Sequence, residues 1–263
     1  MDKSKKERVK EMRDICLPEE KRATGPAANN LIYRKIGFLF TRLFVRTNIT
    51  PNQITWIWGA LLVFFSTLFI FNDPWIRVIG AIGWIVSFSL DCTDGQVARY
   101  KGTTSKRGLF LDLVIHCVTW PMLFFCIGLG EYLATGMVRH AIFGFMAGLS
   151  MMLIAAIQEL YNSVGPDTDV RRGDNSSMEG KIFKSKKRYK LLRDISPLTF
   201  LNMYLVLLAA TILDLLLPIA FPSVFPFELF WMTDFLAMFI FVYAIGFPIA
   251  FLVRFFSLYN KLT

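Results

Sequence analysis

The sequence predicts an all-α integral membrane protein with six transmembrane helices and an N-terminal interfacial helix. Hydrophobic residues make up 54% of the 263 positions, a composition too apolar for an ordinary soluble domain of this length. Stretches nearly free of charged side chains recur along the chain, each close to the about 20 residues that a helix needs to cross a bilayer. The predicted spans cover residues 53–71, 75–93, 109–130, 141–161, 196–220 and 229–253.

The distribution of basic residues predicts the orientation, because cytoplasmic loops are enriched in lysine and arginine. With a cytosolic N-terminus, only Arg77 and Arg139 among the 29 lysines and arginines fall on the far side. We therefore expect both termini, and the connection between the second and third spans, to face the cytoplasm. A bacterial inner membrane is the expected location.

The net charge of +9 is concentrated on this predicted cytosolic face. Anionic lipid headgroups and phosphorylated substrates would both be attracted to it. Nucleic acid is a less suitable partner, since the basic residues lie in juxtamembrane stretches typical of any protein in this orientation. The four cysteines form no CxxC pair, so we expect reduced thiols that pack as small apolar groups.

The chain before the first span divides into two parts. Residues 1–30 are charged and have little to bury, which predicts a flexible cytosolic tail. Residues 31–46 carry Ile32, Ile36, Leu39, Phe40 and Leu43 on one helical face and Lys35, Arg42 and Arg46 on another. This pattern is typical of an interfacial helix. It begins the membrane domain predicted for residues 31–257, which a cytosolic tail of residues 258–263 follows.

Three further features concern the ends and contacts of the helices. Thr50, Pro51 and Gln53 form a capping box with proline at the first helical position, which predicts the start of the first span. Gly144 and Gly148 make a GxxxG motif that permits close helix approach within or between subunits. The basic run KSKKRYK in the loop of residues 162–195 agrees with the positive-inside rule alone.

An unusual group of acids lies in the stretch DCTDGQVARYKGTTSKRGLFLDLVIH, residues 91–116. Asp91 and Asp94 are three residues apart, and Asp112 and His116 four, so each pair shares one face of its helix. Because these helices are consecutive and closely connected, the two faces meet near the membrane surface. Three carboxylates there would repel one another unless a cation neutralised them, and a divalent metal is the simplest such cation.

The residues around these acids favour a site for a metal-bound diphosphate. Oxygen ligands favour Mg²⁺ or Mn²⁺, which leave coordination positions for water and phosphate. Gly95 and Ala98 leave space for a ligand, and Arg99 can bind a phosphate with two hydrogen bonds. In the alternative, the acids pair with Arg99 and Lys101 in helix packing, but burying such charges is costly.

This region resembles the signature of the CDP-alcohol phosphatidyltransferase family. The pattern in the chain is Asp91-x2-Asp94-Gly95-x2-Ala98-Arg99-x8-Gly108-x3-Asp112-x3-His116, which matches seven of the eight fixed positions of that signature. The family has aspartate at the last position. The stretch TPNQIT and the six-span layout are also similar to this family.

The resemblance implies a membrane enzyme that transfers a substituted phosphate from a CDP-linked donor, such as CDP-diacylglycerol, to an acceptor alcohol and releases CMP. It implies metal ligands at Asp91, Asp94 and Asp112, a nucleotide site lined by Gly95, Ala98 and Gly108, and an arginine near the phosphates at Arg99. It also implies dependence on Mg²⁺ or Mn²⁺, a role in phospholipid biosynthesis and a homodimer.

His116 departs from the resemblance and leaves three interpretations open. The family's last aspartate is thought to act as general base and to help bind a second metal. An imidazole can accept a proton near pH 7, so His116 could keep the role of base. Asp112 and His116 are the candidate catalytic residues. Imidazole is a poor Mg²⁺ ligand, which favours one metal or a preference for Mn²⁺. Otherwise His116 is a packing residue, or it marks a member that binds nucleotide without turnover.

The remaining expectations concern the acceptor and other classes of protein. Arg193, just before the fifth span, is the candidate to bind a phosphate on the acceptor. A catalytically silent nucleotide-binding subunit is the main alternative function. A divalent-cation transporter is disfavoured because the third span has no acid after His116 until Glu131. Asp214 and Asp234, far from the signature, are expected to make surface contacts, and His140 needs no role.

Overall fold

The computed structural model describes residues 3–18, 32–164, 200–221 and 234–260. Within these ranges the helices are α1 (Lys3–Cys16), α2 (Arg34–Phe44), α3 (Pro51–Thr67), α4 (Pro74–Lys101), α5 (Lys106–Thr135), α6 (Val138–Val164), α7 (Phe200–Ala220) and α8 (Phe235–Tyr259). A 3₁₀ turn, Leu68–Ile70, extends α3. The six helices α3 to α8 are long and apolar enough to cross a membrane, which confirms the predicted all-α membrane fold.

Three of the spanning helices are longer than predicted, and the third of them, α6, runs from Val138 to Val164 against a predicted 141–161. The sequence predicts spans at 75–93 and 109–130, whereas α4 and α5 run on through the charged signature. The prediction ended the spans at charged residues, but a helix continues until a residue breaks it. Gly102 does so for α4, with a left-handed φ of 64° and a closing hydrogen bond from Thr103 N to Ala98 O of 2.9 Å. Residues 196–199 and 229–233 of the predicted spans lie outside the described residues.

The α3 to α8 helices alternate in direction, so one end of the bundle carries the signature of residues 91–116. We call this the signature end. The capping box at the start of α3 lies there and is formed as predicted, since Gln53 N donates to Thr50 Oγ1 at 3.3 Å and Thr50 N to Gln53 Oε1 at 2.8 Å. Lys101 Nζ donates to the carbonyls of Thr47 and Ile49, both at 2.9 Å. These bonds attach the α2–α3 connection to the end of α4.

Helix α2 crosses α4 at a point where only glycine fits. A Cβ at Gly37 would lie 2.7 Å from the carbonyl oxygen of Ser89, and Thr93 Oγ1 donates to the Gly37 carbonyl at 3.1 Å. The other side of α2 is apolar and open, with Leu39 62% and Leu43 61% exposed. This exposure supports the predicted interfacial position of α2, which stays a prediction.

The N-terminal segment is not without structure. Residues 3–16 form α1, and its end packs against α4, where Cys16 and Leu17 are buried. Residues 19–31 lie outside the described residues. They comprise the rest of the segment that was expected to be a flexible tail and its junction to α2.

The GxxxG motif of α6 is used within the chain. A Cβ at Gly144 would lie 2.5 Å from the carbonyl oxygen of Phe124, and one at Gly148 would lie 2.8 Å from that of Pro121. Both carbonyls belong to α5, so the small residues allow α5 and α6 to approach closely.

The opposite end of the bundle contains a buried ion pair that sequence reasoning missed. Arg77 Nη2 lies 2.7 Å from Glu131 Oε1, with both side chains almost fully buried, and Arg77 Nη1 lies 3.9 Å from Asp234 Oδ2. Arg77 thereby joins the start of α4 to the end of α5 through Glu131 and to the start of α8 through Asp234. In a membrane-spanning bundle, such charges are stable only as partners.

Asp214 and Asp234 do not make the surface contacts expected of them. Asp214 accepts hydrogen bonds from Phe235 N (2.7 Å) and Leu236 N (3.0 Å), and Asp234 Oδ1 accepts from Ala237 N (2.7 Å). Both acids therefore cap the first turn of α8, where unpaired N–H groups attract negative charge.

His140, for which no role was expected, is fully buried at the same end of the bundle, with Nδ1 3.0 Å from Thr135 Oγ1. This contact joins the start of α6 to the end of α5.

Candidate active site

The signature acids of α4 and α5 meet at the signature end of the bundle. Asp91, Asp112 and His116 each offer one ligand atom, and these atoms lie within 4.8 Å of one another. His116 Nε2 is 3.5 Å from Asp91 Oδ1 and 3.5 Å from Asp112 Oδ1. The three side chains are partly buried. The structure thus brings these three predicted site residues together.

Asp94 is held by the first spanning helix and is not a member of this group of three. Its Oδ2 atom accepts hydrogen bonds from Thr55 Oγ1 at 2.6 Å and from Trp58 Nε1 at 2.9 Å. Both donors belong to α3. The site is therefore built from α3, α4 and α5, and the first of these was not assigned a site residue from sequence.

The ring of His116 lies among aromatic side chains. Its centroid is 4.9 Å from that of Trp58 and 4.6 Å from that of Trp120, with tilted planes in both pairs. Phe88 is further away, at 6.4 Å. These contacts set the plane of the imidazole while Nε2 faces the two carboxylates. Nδ1 is buried with no hydrogen-bond partner among the described residues.

Arg99 contacts both the signature and the N-terminal helix. Its Nε donates to the carbonyl oxygen of Cys16 at 2.9 Å. A Cβ at Gly95 would lie 3.3 Å from Arg99 Nη1, so the guanidinium group lies over the glycine backbone. Burial raises the pKa of the Cys16 thiol to about 11, although the nearby Arg99 charge partly opposes this shift.

Gly108 lies beside the capping box of α3 at the start of α5. Its N–H donates to Ser105 Oγ at 3.1 Å, and a Cβ at this position would lie 3.1 Å from Asn52 Oδ1. Asn52 and Ser105 also line an open cavity of about 500 Å³ between the α2–α3 connection and the α4–α5 turn. The cavity is lined by Thr47, Asn48, Ile49, Thr50, Pro51, Asn52, Lys101, Thr103 and Ser105.

Comparison with known proteins identifies the family. A family model for CDP-alcohol phosphatidyltransferases matches residues 48–221, about two thirds of the chain, including the whole signature. The chain belongs to the CDP-alcohol phosphatidyltransferase family. No curated protein matches the sequence closely enough to indicate a relationship.

The residues of this CDP-alcohol phosphatidyltransferase family member fit a divalent cation. Among the described residues, Asp91, Asp94 and Asp112 form no ion pair with lysine or arginine. Asp112 Oδ1 is buried and has no hydrogen-bond partner among the described residues, although His116 Nε2 lies 3.5 Å from it. Arg99 and Lys101 donate to backbone carbonyls instead, which disfavours the alternative in which they neutralise the acids. Carboxylates left in this state favour a bound metal.

Some of the predicted site lies beyond the structure. Arg193 and the basic loop before it are outside the described residues, so the proposed contact of Arg193 with the acceptor stays a prediction. Ala98 and Gly108 lie on α4 and α5 as expected, and Ala98 is buried.

Thr55 and Trp58 are the site residues that sequence reasoning missed, although a signal for them exists. They follow the capping box at a spacing of three, which places them on one helical face. A buried indole N–H generally finds an acceptor, so a tryptophan on that face indicates a polar partner on a neighbouring span.

Proposed function

We propose that the protein transfers a substituted phosphate from a CDP-linked donor to an acceptor alcohol and releases CMP, with the help of Mg²⁺ or Mn²⁺. CDP-diacylglycerol or another CDP-alcohol is the donor in this proposal, and phospholipid biosynthesis is the expected role. The observation that carries it is the meeting of Asp91, Asp112 and His116 at one end of α4 and α5, in a chain of this family.

The proposed metal ligands are Asp91, Asp94 and Asp112. A divalent cation held there would neutralise the diphosphate of the donor, which is the main requirement of phosphoryl transfer. Thr55 and Trp58 orient the Asp94 carboxylate, since both donate to its Oδ2 atom.

The donor nucleotide is proposed to lie along α4 and the start of α5. Gly95, Ala98 and Gly108 carry a methyl group or no side chain, so the residues themselves present little steric barrier to a ligand. The terminal NH₂ groups of Arg99, which lie over Gly95, are the candidate donors to the phosphates. The open cavity beside Gly108, of about 500 Å³, is the proposed place of the nucleoside.

The acceptor hydroxyl is proposed to lose its proton to His116 Nε2. A bond forms between the acceptor oxygen and the phosphorus that carries the transferred group, and the bond from that phosphorus to the oxygen of CMP breaks. The proton from the acceptor goes to the imidazole, and CMP leaves with the electron pair of the broken bond. Trp58 and Trp120 orient the base through their ring contacts.

Arg193 is proposed to bind the phosphate of a phosphorylated acceptor. The active site and both termini are proposed to be cytosolic, because the basic residues of the chain fall on that side. A homodimer is proposed on family grounds.

Release of CMP tests the proposal. The purified protein in lipid nanodiscs is incubated with CDP-diacylglycerol or CDP-linked small alcohols, Mg²⁺ or Mn²⁺, and a panel of acceptor alcohols. We expect CMP only when metal and a suitable acceptor are both present, and we expect Asp91→Asn and Asp112→Asn to abolish it. Failure to release CMP or to bind any cytidine nucleotide, whichever ion is supplied, would refute the proposal.

A second candidate function is nucleotide binding without turnover, which His116 favours because the family has aspartate at this position. Such a protein would be stabilised against heat by CDP and metal, yet would release no CMP. Gain of CMP release in His116→Asp would then identify the histidine as the cause.

A further inference from the structure

Trp58 of α3 contacts two predicted functional side chains that belong to two other helices. Its indole N–H donates to Asp94 Oδ2 on α4 at 2.9 Å. Its ring centroid lies 4.9 Å from that of His116 on α5. The side chain is 0% exposed, so both contacts are made in the interior of the bundle.

Trp58 is one of three donors that orient the Asp94 carboxylate, since the backbone N–H of Gly95 donates to the other oxygen, Oδ1. Oδ2 accepts from Trp58 and, at 2.6 Å, from Thr55 Oγ1. Two neutral donors on one oxygen hold the carboxylate plane without cancelling its charge. The negative charge of the carboxylate therefore remains available to a cation. Metal ligands in proteins are commonly oriented by hydrogen bonds of this kind from neighbouring residues.

The contact with His116 determines the orientation of the imidazole. The ring planes of Trp58 and His116 are inclined by 37°, and those of Trp120 and His116 by 32° at 4.6 Å. Because two indole rings contact the imidazole, its rotation about the side-chain bonds is restricted. Its Nε2 atom therefore stays near Asp91 and Asp112.

The backbone beside Trp58 has little freedom to move. A Cβ at Gly59 would lie 2.7 Å from Ile115 Cγ2, so α3 and α5 are in close contact next to both Trp58 and His116. A rigid scaffold of this kind is what precise orientation of two groups requires.

We propose that Trp58 is a positioning residue with two separable actions, in which the N–H group orients Asp94 for the metal and the ring orients His116 for the acceptor. The inference rests on the proposed function, because it takes Asp94 as a metal ligand and His116 as the base. It adds a residue of α3 that lies outside the signature.

The N–H action is tested by metal binding in the absence of any substrate. Trp58→Phe keeps an aromatic ring beside His116 and removes the donor to Asp94. We expect the Kd for Mn²⁺, measured by electron paramagnetic resonance on the full chain, to rise about tenfold. Trp56→Phe is the matched control, because Trp56 lies on the same helix and is 62% exposed. We expect that control to bind Mn²⁺ like the unmodified protein.

The ring action is tested by kinetics at saturating Mn²⁺. There Trp58→Phe should regain a kcat within about threefold of the unmodified enzyme, since its remaining ring still supports His116. Trp58→Leu should stay at least about tenfold slower at any Mn²⁺ concentration, because both actions are lost. If Trp58 had only a structural role, both variants would have a lower melting temperature. The Phe variant would then not combine a weaker Mn²⁺ affinity with a nearly normal kcat at saturating Mn²⁺.

Three results would overturn the inference. The first is unchanged Mn²⁺ affinity in Trp58→Phe while Asp91→Asn loses it, and the second is equal kcat in the Phe and Leu variants at saturating metal. If Trp58→Phe does not fold, β-(3-benzothienyl)alanine at position 58 is used instead, because it keeps both rings and replaces the N–H by sulfur. Normal Mn²⁺ affinity in that protein is the third result that would overturn the inference. Absence of Mn²⁺ binding by the unmodified protein would refute the proposed function as well as the role of Trp58. The three results above would refute the role of Trp58 alone, so the two failures can be distinguished.

Discussion

The carbonyl oxygen of Cys16 accepts a hydrogen bond of 2.9 Å from Nε of Arg99. This bond joins the C-terminal end of α1 to the signature segment of α4. Helix C-termini carry unpaired carbonyls and a partial negative charge, so an arginine is a suitable partner there. The N-terminal helix thus lies directly beside the predicted phosphate site, and Cys16 reports on that contact.

Alkylation of Cys16 should be slow and strongly dependent on pH. Burial raises the pKa of this thiol to about 11, so little of the reactive thiolate is present at pH 7.5, and the fraction increases as the pH approaches 11. We expect iodoacetamide labelling of Cys16, followed by peptide mass spectrometry, to be much slower in the folded protein than in denatured protein at pH 7.5. Labelling at equal rates in the two states would show that the α1 contact does not form.

Gly95→Ala should weaken nucleotide binding more than it affects stability. The added methyl would lie 3.3 Å from Arg99 Nη1, the end of a flexible side chain that can shift at small cost. The same methyl would occupy the space proposed for the donor phosphates, so we expect the Kd for CDP, measured by calorimetry with Mn²⁺, to rise about tenfold. The melting temperature should change little. Normal CDP affinity in this variant would place the nucleotide elsewhere.

His116→Ala and His116→Asp separate the interpretations of this histidine. If it is the base, the Ala variant should lose about 10²-fold or more of its kcat and still bind CDP. The Asp variant should keep activity and work better with Mg²⁺ relative to Mn²⁺, because carboxylate suits Mg²⁺ better than imidazole does. CMP release is the measurement for both. Full activity in the Ala variant would mean that the base lies elsewhere.

Glu131→Gln should destabilise the bundle without altering the metal site. The substitution leaves Arg77 buried at the opposite end without its closest acidic partner, and Asp234 lies 3.9 Å away. Breaking a buried pair costs about 3 kcal/mol or more. Unfolding in detergent should show this loss, while the Kd for Mn²⁺ stays unchanged.

Glu159→Gln is the control for this substitution, because Glu159 is exposed. Equal stability of the Glu131 and Glu159 variants would mean that the buried pair contributes nothing to the fold.

Much of this architecture could be predicted from the sequence because its causes are local. Charge-free stretches define spans, and Thr50 with Gln53 defines a helix start, since both depend on neighbouring residues. The meeting of Asp91 with Asp112 could also be predicted, as consecutive helices with a short connection must be adjacent.

The remaining features depend on contacts between residues distant in sequence. Nothing near Asp94 indicates that α3 supplies its donors, and nothing near Cys16 indicates Arg99 as its partner. The Arg77–Glu131 pair was missed for a different reason. A single acid or base within an apolar span shows that a partner must exist, but the sequence does not show which helix provides it.

The most direct test of the central claim is whether one divalent ion contacts both the signature acids and the donor diphosphate. Mn²⁺ is added to the full chain with CDP, and phosphorus hyperfine coupling to the ion is measured by electron-nuclear double resonance. We expect a ³¹P coupling in the unmodified protein that Asp91→Asn and Asp112→Asn both abolish. Protein-bound Mn²⁺ without phosphorus coupling, or a coupling that persists in both variants, would contradict a metal held by α4 and α5 that orients the donor.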